Sequence, residues 1–315
     1  MNWTKWLACT ALAGGLLAGC GDSGGGTDMG GGTDGGTDTG TTMDMGTACT
    51  DPGATGMTKV YVVNVLQLPQ PSGASSDIID GFDLDHRVDT MPPGATCSQA
   101  LDYTSPDYQG SMRGVDNALA PFLGGLANDS IQKSVDQASV VILLEVKGID
   151  NFMNDDCVSV TAYLGKLPSG ATAMHAGACP MESSMDATCR LAAGQTFDID
   201  PNSFTDSGHT MPRIAFMSAK IQNGRLNAGP VDFPIALDFM GSALMLTIQQ
   251  AQVSVGITDT ALTQGVLGGK INDAQLLSTI AAIPSLCSYV GTVGPILNMY
   301  SDLDETPNPD GGMPT

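Results

Sequence analysis

Residues 21–48 consist almost entirely of glycine, threonine and aspartate, and this composition limits where the chain can fold. Such a segment has almost no apolar surface whose burial could offset the entropy that is lost on ordering. The sequence therefore predicts a disordered tether at 20–48, which its own aspartates extend by mutual repulsion. The acidic residues at 302–315 predict a disordered tail. We expect one folded domain between them, at 49–301.

An apolar run at 7–17 precedes the tether and follows the positive charge of Lys5. It is too short to span a bilayer and has the layout of a signal peptide. The run ends in Leu17-Ala18-Gly19-Cys20, which resembles the lipobox of bacterial lipoproteins. The resemblance implies that residues 1–19 are removed as a signal peptide and that Cys20 is acylated. Several acyl chains on one residue anchor a protein stably in a membrane.

Gly21 follows the predicted lipidated cysteine, where lipoproteins retained at the inner membrane by the common sorting rule carry aspartate. The resemblance therefore implies an outer-membrane lipoprotein, on either the periplasmic or the cell-surface face. It extends over about twenty residues, and the folded domain behind it resembles no family that we identify.

Six further cysteines follow Cys20, and an even set in an exported protein predicts up to three disulfides. They are Cys49, Cys97, Cys157, Cys179, Cys189 and Cys287. Fifteen pairings are possible, and the short local loop favours Cys179 with Cys189. No CxxC motif occurs, which argues against a thiol oxidoreductase or a structural zinc site.

Many segments rich in β-branched residues predict a mainly β fold. The clearest are 59–69, 139–148, 157–166, 213–221, 234–239, 243–248 and 251–257. Helices are predicted at 117–126, around 131–138 with Ser130 as cap, from Asn272 and Gln275 to 283, and from Ser285 to about Tyr300. We expect an antiparallel β-sandwich or irregular barrel with a few short helices, two of them near the C-terminus.

The net charge of −21, with only 12 Lys plus Arg, excludes nucleic acid as a partner and favours cations. A possible Ca²⁺ site is predicted from closely spaced carboxylates, since Ca²⁺ takes several oxygen ligands. The predicted ligands are Asp77, Asp80, Asp83, Asp85 and Asp89. Arg87 interrupts the pattern of known calcium loops, and a solvated acidic loop is the alternative. A second acidic group with the same two interpretations contains Asp150, Asn151, Asn154, Asp155 and Asp156.

Two other kinds of chemistry have weaker support in the sequence. Thioether and imidazole groups suit Cu(I), and they cluster at Met174, His175, Met181 and Met185. The pair Asp83 and Asp85 could serve a hydrolase, and Ser207 lies near His209, but no catalytic motif is present. A mature chain without tryptophan also lacks the best platform for stacking on sugars.

We therefore predict a lipid-anchored envelope or surface protein with a non-enzymatic role in binding, adhesion or envelope structure. Its expected partners are the membrane, through the lipid anchor, and an unidentified envelope or extracellular ligand. An extracellular hydrolase that uses paired aspartates is the alternative, and a Cu(I)-binding protein is the third possibility.

Overall fold

The computed structural model is mainly β, with 42% of residues in strands and three short helices. It describes residues 7–11, 51–73, 77–84, 103–117, 119–179, 186–239, 242–284, 287 and 290–300. The predicted tether and tail lie outside these residues. The segment 7–11 belongs to the predicted signal peptide, so the structure is that of the unprocessed chain.

Twelve strands and three helices lie within the described residues. The strands are β1 (Leu7–Ala11), β2 (Met57–Val62), β3 (Leu66–Gln67), β4 (Tyr103–Thr104), β5 (Arg113–Val115), β6 (Val141–Ile149), β7 (Asn154–Lys166), β8 (Asp198–Ile199), β9 (Ile214–Gln222), β10 (Arg225–Phe239), β11 (Ser242–Ile257) and β12 (Leu262–Lys270). The helices are α1 (Leu119–Asp136), α2 (Asp273–Ala282) and α3 (Val290–Tyr300).

Ten strands form one curled sheet, a half-barrel, in the order β2-β6-β7-β9-β10-β11-β12-β1-β3, with β8 beside β7. Neighbours from β2 to β12 pair antiparallel, whereas β1 runs parallel to both β12 and β3. The short strands β4 and β5 form a separate two-stranded sheet. Of the two architectures that the sequence predicts, the structure has the barrel-like one.

The core fills the space that the curled sheet encloses. Alternate residues of β11 face inward, so that Ala251, Val253 and Val255 are at most 4% exposed. Helix α1 packs into the same cluster through Ala127, Ile131 and Val135, which its i, i+4 spacing places on one face. The core therefore joins the long strands to α1 and, through Leu276 and Ile280, to α2.

Helix α1 corrects the prediction of two separate helices at 117–126 and around 131–138. One helix of 18 residues covers both segments. Ser130 is not its cap, since its carbonyl oxygen accepts the hydroxyl of Ser134 at 2.9 Å, inside the helix. Continuous burial of the 127–131–135 face outweighs the cost of Gly124 and Gly125 within the helix.

The strands are also longer than the sequence predicts. The segments 243–248 and 251–257 are one strand, β11, whose pairing with β10 and β12 shifts register near Gln249 and Ala251. An irregularity of this kind bends a strand without ending it, and it breaks the alternation that sequence reading relies on. The predicted strand 59–69 is instead divided into β2 and β3.

The C-terminal helices agree with the prediction. The side chain of Asn272 accepts the backbone N–H of Gln275 at 3.0 Å and caps α2, which ends before Pro284. Helix α3 ends at Tyr300, and the predicted cap Ser285 lies outside the described residues. Among the helices that the structure describes, none is long and apolar enough to cross a membrane.

Two valines on paired strands test this arrangement of the core. Val146 of β6 is 0% exposed, whereas Val60 of β2 is 62% exposed. We expect Val146→Ala to lower the free energy of unfolding by about 2 kcal/mol, since it removes buried methyl groups and leaves a cavity. The matched Val60→Ala should change it by less than about 0.5 kcal/mol. Urea unfolding followed by circular dichroism measures both, and equal effects would contradict the assigned inner face.

Candidate functional site

A polar cluster joins the acidic segment of the chain to the face of the sheet that points away from the core. We call residues 77–84 and 103–117 the flap, because they connect β3 to α1 and lie against β10. The carboxylate of Asp80 accepts a hydrogen bond from the hydroxyl of Tyr108 within the flap. The side-chain amide of Asn117 donates to the backbone oxygen of Asp80 at 2.9 Å and fixes its position.

Arg225, the first residue of β10, is the sheet's contribution to this cluster. Its guanidinium carbon lies 5.3 Å from the centre of the Tyr108 ring, which is a cation–π distance. The same guanidinium donates to Ser254 Oγ on β11 at 3.1 and 3.2 Å and to the backbone oxygen of Gln264 on β12 at 3.1 Å. One side chain of β10 therefore bridges β11, β12 and the flap.

Burial decides the protonation of Asp80. Removal of its carboxylate from water raises the pKa to about 6 from the usual 3.8, while the positive charge of Arg225 opposes this rise. The same burial lowers the pKa of Arg225, which the carboxylate of Asp80 counteracts. A titratable group near neutral pH beside a cation and a phenol is the kind of arrangement that marks candidate sites. Here these groups bind one another, so the cluster fastens the flap to the sheet.

A second network is a buried ion pair between α1 and the loop that follows Cys189. Arg190 Nη1 lies 2.6 Å from Asp136 Oδ2, and the two side chains are only 13% and 6% exposed. The other carboxylate oxygen accepts from Gln132 Nε2 at 2.9 Å. Burial raises the pKa of Asp136, and Arg190 lowers it. This network holds the disulfide loop against the helix.

The predicted calcium ligands are only partly within the described residues. Asp77, Asp80 and Asp83 are described, and Asp85 and Asp89 lie outside them. Asp80 is directed at Tyr108 and Arg225, so a cation bound there would compete with a guanidinium. In the part of the chain that the structure describes, no group of three or more His, Cys, Asp or Glu side chains is placed to hold a metal. Ca²⁺ binding stays a prediction.

The second acidic group follows the alternative interpretation, turn chemistry. The carboxylate of Asp155 accepts the backbone N–H groups of Asp150, Asn151 and Cys157 at 2.7, 3.3 and 3.0 Å. The side-chain oxygen of Asn154 accepts the N–H of Asn223 at 3.1 Å. These oxygens order the turn between β6 and β7 and its neighbour between β9 and β10.

The residues predicted to bind copper or to act in a hydrolase are only partly described, and those that are described have local contacts. Met174 is 46% exposed, and His175 Nδ1 lies 2.9 Å from the backbone oxygen of Cys189. Met181 and Met185 lie outside the described residues. The ring of His209 stacks on Phe204, with centroids 5.1 Å apart, in a turn that the carboxylate of Asp206 orders. The Ser207–His209 stretch thus has a local role in this turn.

The cysteines confirm the favoured pair, since Cys179 and Cys189 form a disulfide. Cys157 is disulfide-bonded as well. Cys287 is a free, exposed thiol, so the upper limit of three disulfides is not reached. Cys20, Cys49 and Cys97 lie outside the described residues.

No protein-family model, no curated protein and no solved structure matches the chain. The candidate sites therefore rest on the geometry given above. Arg225, Tyr108 and Gln132 have no sequence pattern that marks them, because each acquires its role from a partner at least 28 residues away, as Tyr108 does from Asp80 and Arg225 from Ser254. The surplus of 33 acidic over 12 basic residues is the one relevant indication in the sequence, since it favours the pairing of an arginine with a carboxylate.

The pH dependence of stability in Asp80→Asn tests the polar cluster around Asp80. Because the folded-state pKa of about 6 lies above the usual value of 3.8, the contribution of Asp80 to stability is fully present below about pH 4. It is lost as the pH rises through 6. We therefore expect the free energy of unfolding of the wild type, minus that of Asp80→Asn, to fall between pH 4 and pH 7 in urea titrations.

Asp206→Asn is the matched control with the opposite sign. Hydrogen bonds, first of all from the backbone N–H of Met211, lower the pKa of Asp206. Its contribution is therefore present above the usual pKa and is lost only as the pH falls further. Parallel pH profiles for the wild type and Asp80→Asn would contradict the buried position of Asp80.

Arg190→Met tests the buried ion pair. The change leaves Asp136 buried without its cation, which typically costs at least about 3 kcal/mol of stability. The control Arg213→Met removes an exposed arginine that donates to the backbone oxygens of Asn202 and Phe204, and it should cost less than about 1 kcal/mol. Urea midpoints at neutral pH compare the two variants. Equal losses would mean that Asp136 is reached by solvent.

Proposed function

We propose that the protein is a lipid-anchored envelope protein whose β-rich domain has a non-enzymatic binding role. The observation that carries the proposal is the order of N-terminal features: the apolar run at 7–17, the lipobox-like Leu17-Ala18-Gly19-Cys20, and the tether at 20–48. A chain with this order is anchored at Cys20 and carries its domain away from the membrane surface. Gly21 directs it to the outer membrane by the sorting rule.

The disulfide Cys179–Cys189 supports an exported location. Structural disulfides persist in oxidising compartments such as the periplasm and the cell surface, and are rare in the cytosol. Here the disulfide closes the loop whose Arg190 reaches α1, so the oxidised state and the buried ion pair support each other. A domain fastened in this way suits exposure outside the cytoplasm.

The proposed role in binding is supported by the internal partners of the carboxylates in the two polar networks. In the first network the carboxylate of Asp80 accepts the hydroxyl of Tyr108, whose ring lies under Arg225, and in the second Asp136 pairs with Arg190. A catalytic carboxylate needs room for substrate and a position from which to act on it. These groups instead hold the flap and the disulfide loop to the sheet and to α1, which favours a rigid domain that presents a surface.

Labelling of the full-length protein in a Gram-negative host tests the anchor. We expect incorporation of a palmitate analogue and a mass that corresponds to a chain beginning at Cys20. Cys20→Ser should abolish both the label and the cleavage. The matched Cys9→Ser, within the same apolar run, should retain both. Labelling that persists in Cys20→Ser would refute the assigned anchor.

Protease treatment of intact cells tests the surface face. A domain displayed on the exterior is cut within the accessible tether, and it is released from the cells. Complete protection in intact cells, with cutting after lysis, would place the domain on the periplasmic face instead.

A further inference from the structure

The curled sheet is completed only by the segment that the proposed processing removes. Strand β1 pairs with β12 from Leu7↔Gly265 to Ala11↔Gly269, and with β3 at Leu7↔Leu66 and Ala8↔Gln67. Among the described strands, β12 and β3 are connected through β1 alone. We call the space between residues 265–269 of β12 and Leu66–Gln67 of β3 the window. Its walls lie about 9.6 Å apart, which is two strand spacings.

The β3 wall is held by α1, not by β1. The side-chain oxygen of Gln132 accepts the N–H of Leu66 at 3.1 Å, and its amide donates to the backbone oxygen of Asn64 at 3.2 Å. One turn earlier, Asn128 accepts the N–H of Leu68 at 2.7 Å and donates to its backbone oxygen at 2.9 Å. Two carboxamides on one face of α1 therefore take the place of a neighbouring strand along this edge of β3.

The β12 wall is held by its antiparallel pairing with β11. Strand β2, which precedes β3, is joined to the turn that precedes β12, since the Tyr61 hydroxyl donates to the backbone oxygen of Thr258 at 2.7 Å. Lys59 forms an ion pair with Asp259 in the same turn. Since none of these contacts involves β1, we expect each wall to keep its position when β1 is absent.

We propose that, in the processed protein, the window binds an uncharged, extended segment of another polypeptide, as a strand parallel to β12 and β3. This inference rests on the proposed function, because cleavage before Cys20 is what vacates the window. Strand addition supplies affinity through backbone hydrogen bonds and specificity through alternate side chains. An exposed edge of this length is a liability in a soluble domain unless something covers it.

The chemistry of the walls defines the occupant. The facing stretch of β12, Gly265-Val266-Leu267-Gly268-Gly269, has no charge and three glycines, and β3 contributes Leu66 and Gln67. The segment Leu-Ala-Cys-Thr-Ala that pairs here in the unprocessed chain is likewise small and uncharged. Segments of the mature chain outside the described residues have the wrong composition for a strand, since they are rich in Gly and Asp or carry Pro. The longest of them are 20–50, 85–102 and 301–315, and the other undescribed stretches of the mature chain have at most six residues.

A peptide spanning residues 5–12, with Cys9→Ser, is the probe. It contains Trp6, and because both tryptophans precede Cys20 the processed protein has none, so fluorescence reports the peptide alone. The protein is purified in detergent after processing by the host, and its N-terminus is first determined by mass. We expect saturable binding with a blue shift of Trp6 emission. Amide hydrogen exchange at 265–269 should slow when the peptide is bound.

A peptide of the same sequence, N-methylated at Ala8 and Thr10, is the matched control. Alternate residues of a strand direct their N–H groups to the same neighbour, so these two methyl groups block one wall. Affinity should fall at least about tenfold, since two hydrogen bonds are lost and methyl groups obstruct the edge. Equal affinity of the two peptides would mean that binding is not strand pairing and would overturn the inference.

The mass of the purified protein distinguishes failure of this inference from failure of the proposed function. A protein that begins at Cys20, is folded by circular dichroism and does not bind the peptide overturns the inference and leaves the anchor intact. A protein that still contains residues 1–19 overturns both, since its window is never vacated. Fluorescence binding without protection at 265–269 places the peptide elsewhere and also overturns the inference.

Discussion

The contact on which the rest of the structure depends is the one between Gln132 and Asn128 of α1 and the backbone at 64–68. A curled sheet has two edges, and here one of them is satisfied by side chains of a helix. Gln132 also donates to Asp136, the partner of Arg190. A fully buried amide is stable only when its hydrogen bonds are made, so one residue sets the path of β3 and positions the disulfide loop.

Two arginines of the chain lie beside carboxylates that are removed from water. Of only 12 Lys plus Arg in the chain, Arg190 and Arg225 each face a carboxylate whose pKa burial raises. Other described carboxylates accept backbone N–H groups instead: Asp155 and Asp206 order turns, and the buried Asp116 accepts from Leu84 at 2.6 Å. The large negative charge is thus compatible with a compact domain, because the buried carboxylates of Asp80 and Asp136 lie beside a cation and that of Asp116 accepts a backbone N–H.

Much of the fold follows from local sequence patterns, and the candidate site does not. The alternation at 251–257 and the cap at Asn272 report local geometry, so sequence predicts them correctly. In this alternation Ser254 belongs to the face opposite Val253 and Val255, which a half-buried sheet exposes to solvent. It is nevertheless only 7% exposed, because the guanidinium of Arg225 lies on it. When a residue from a distant part of the chain buries a polar side chain, the periodicity of the sequence does not change. The merging of two predicted helices into α1 has the same cause, a tertiary face that outweighs local glycines.

The width of the window follows from the core and needs no separate explanation. Ala127, Ile131 and Val135 seat α1 on the core, and its carboxamides then fix β3 at the distance that a helix requires from the sheet. Strand β12 is fixed by β11, and the Tyr61 hydroxyl joins β2, which precedes β3, to the turn at Thr258, which precedes β12. Direct closure of β3 on β12 would break either the Gln132 and Asn128 hydrogen bonds or the packing of α1. The spacing of the two walls therefore matches the single strand β1 that lies between them, and after the proposed cleavage an added strand would fill this space without breaking either contact.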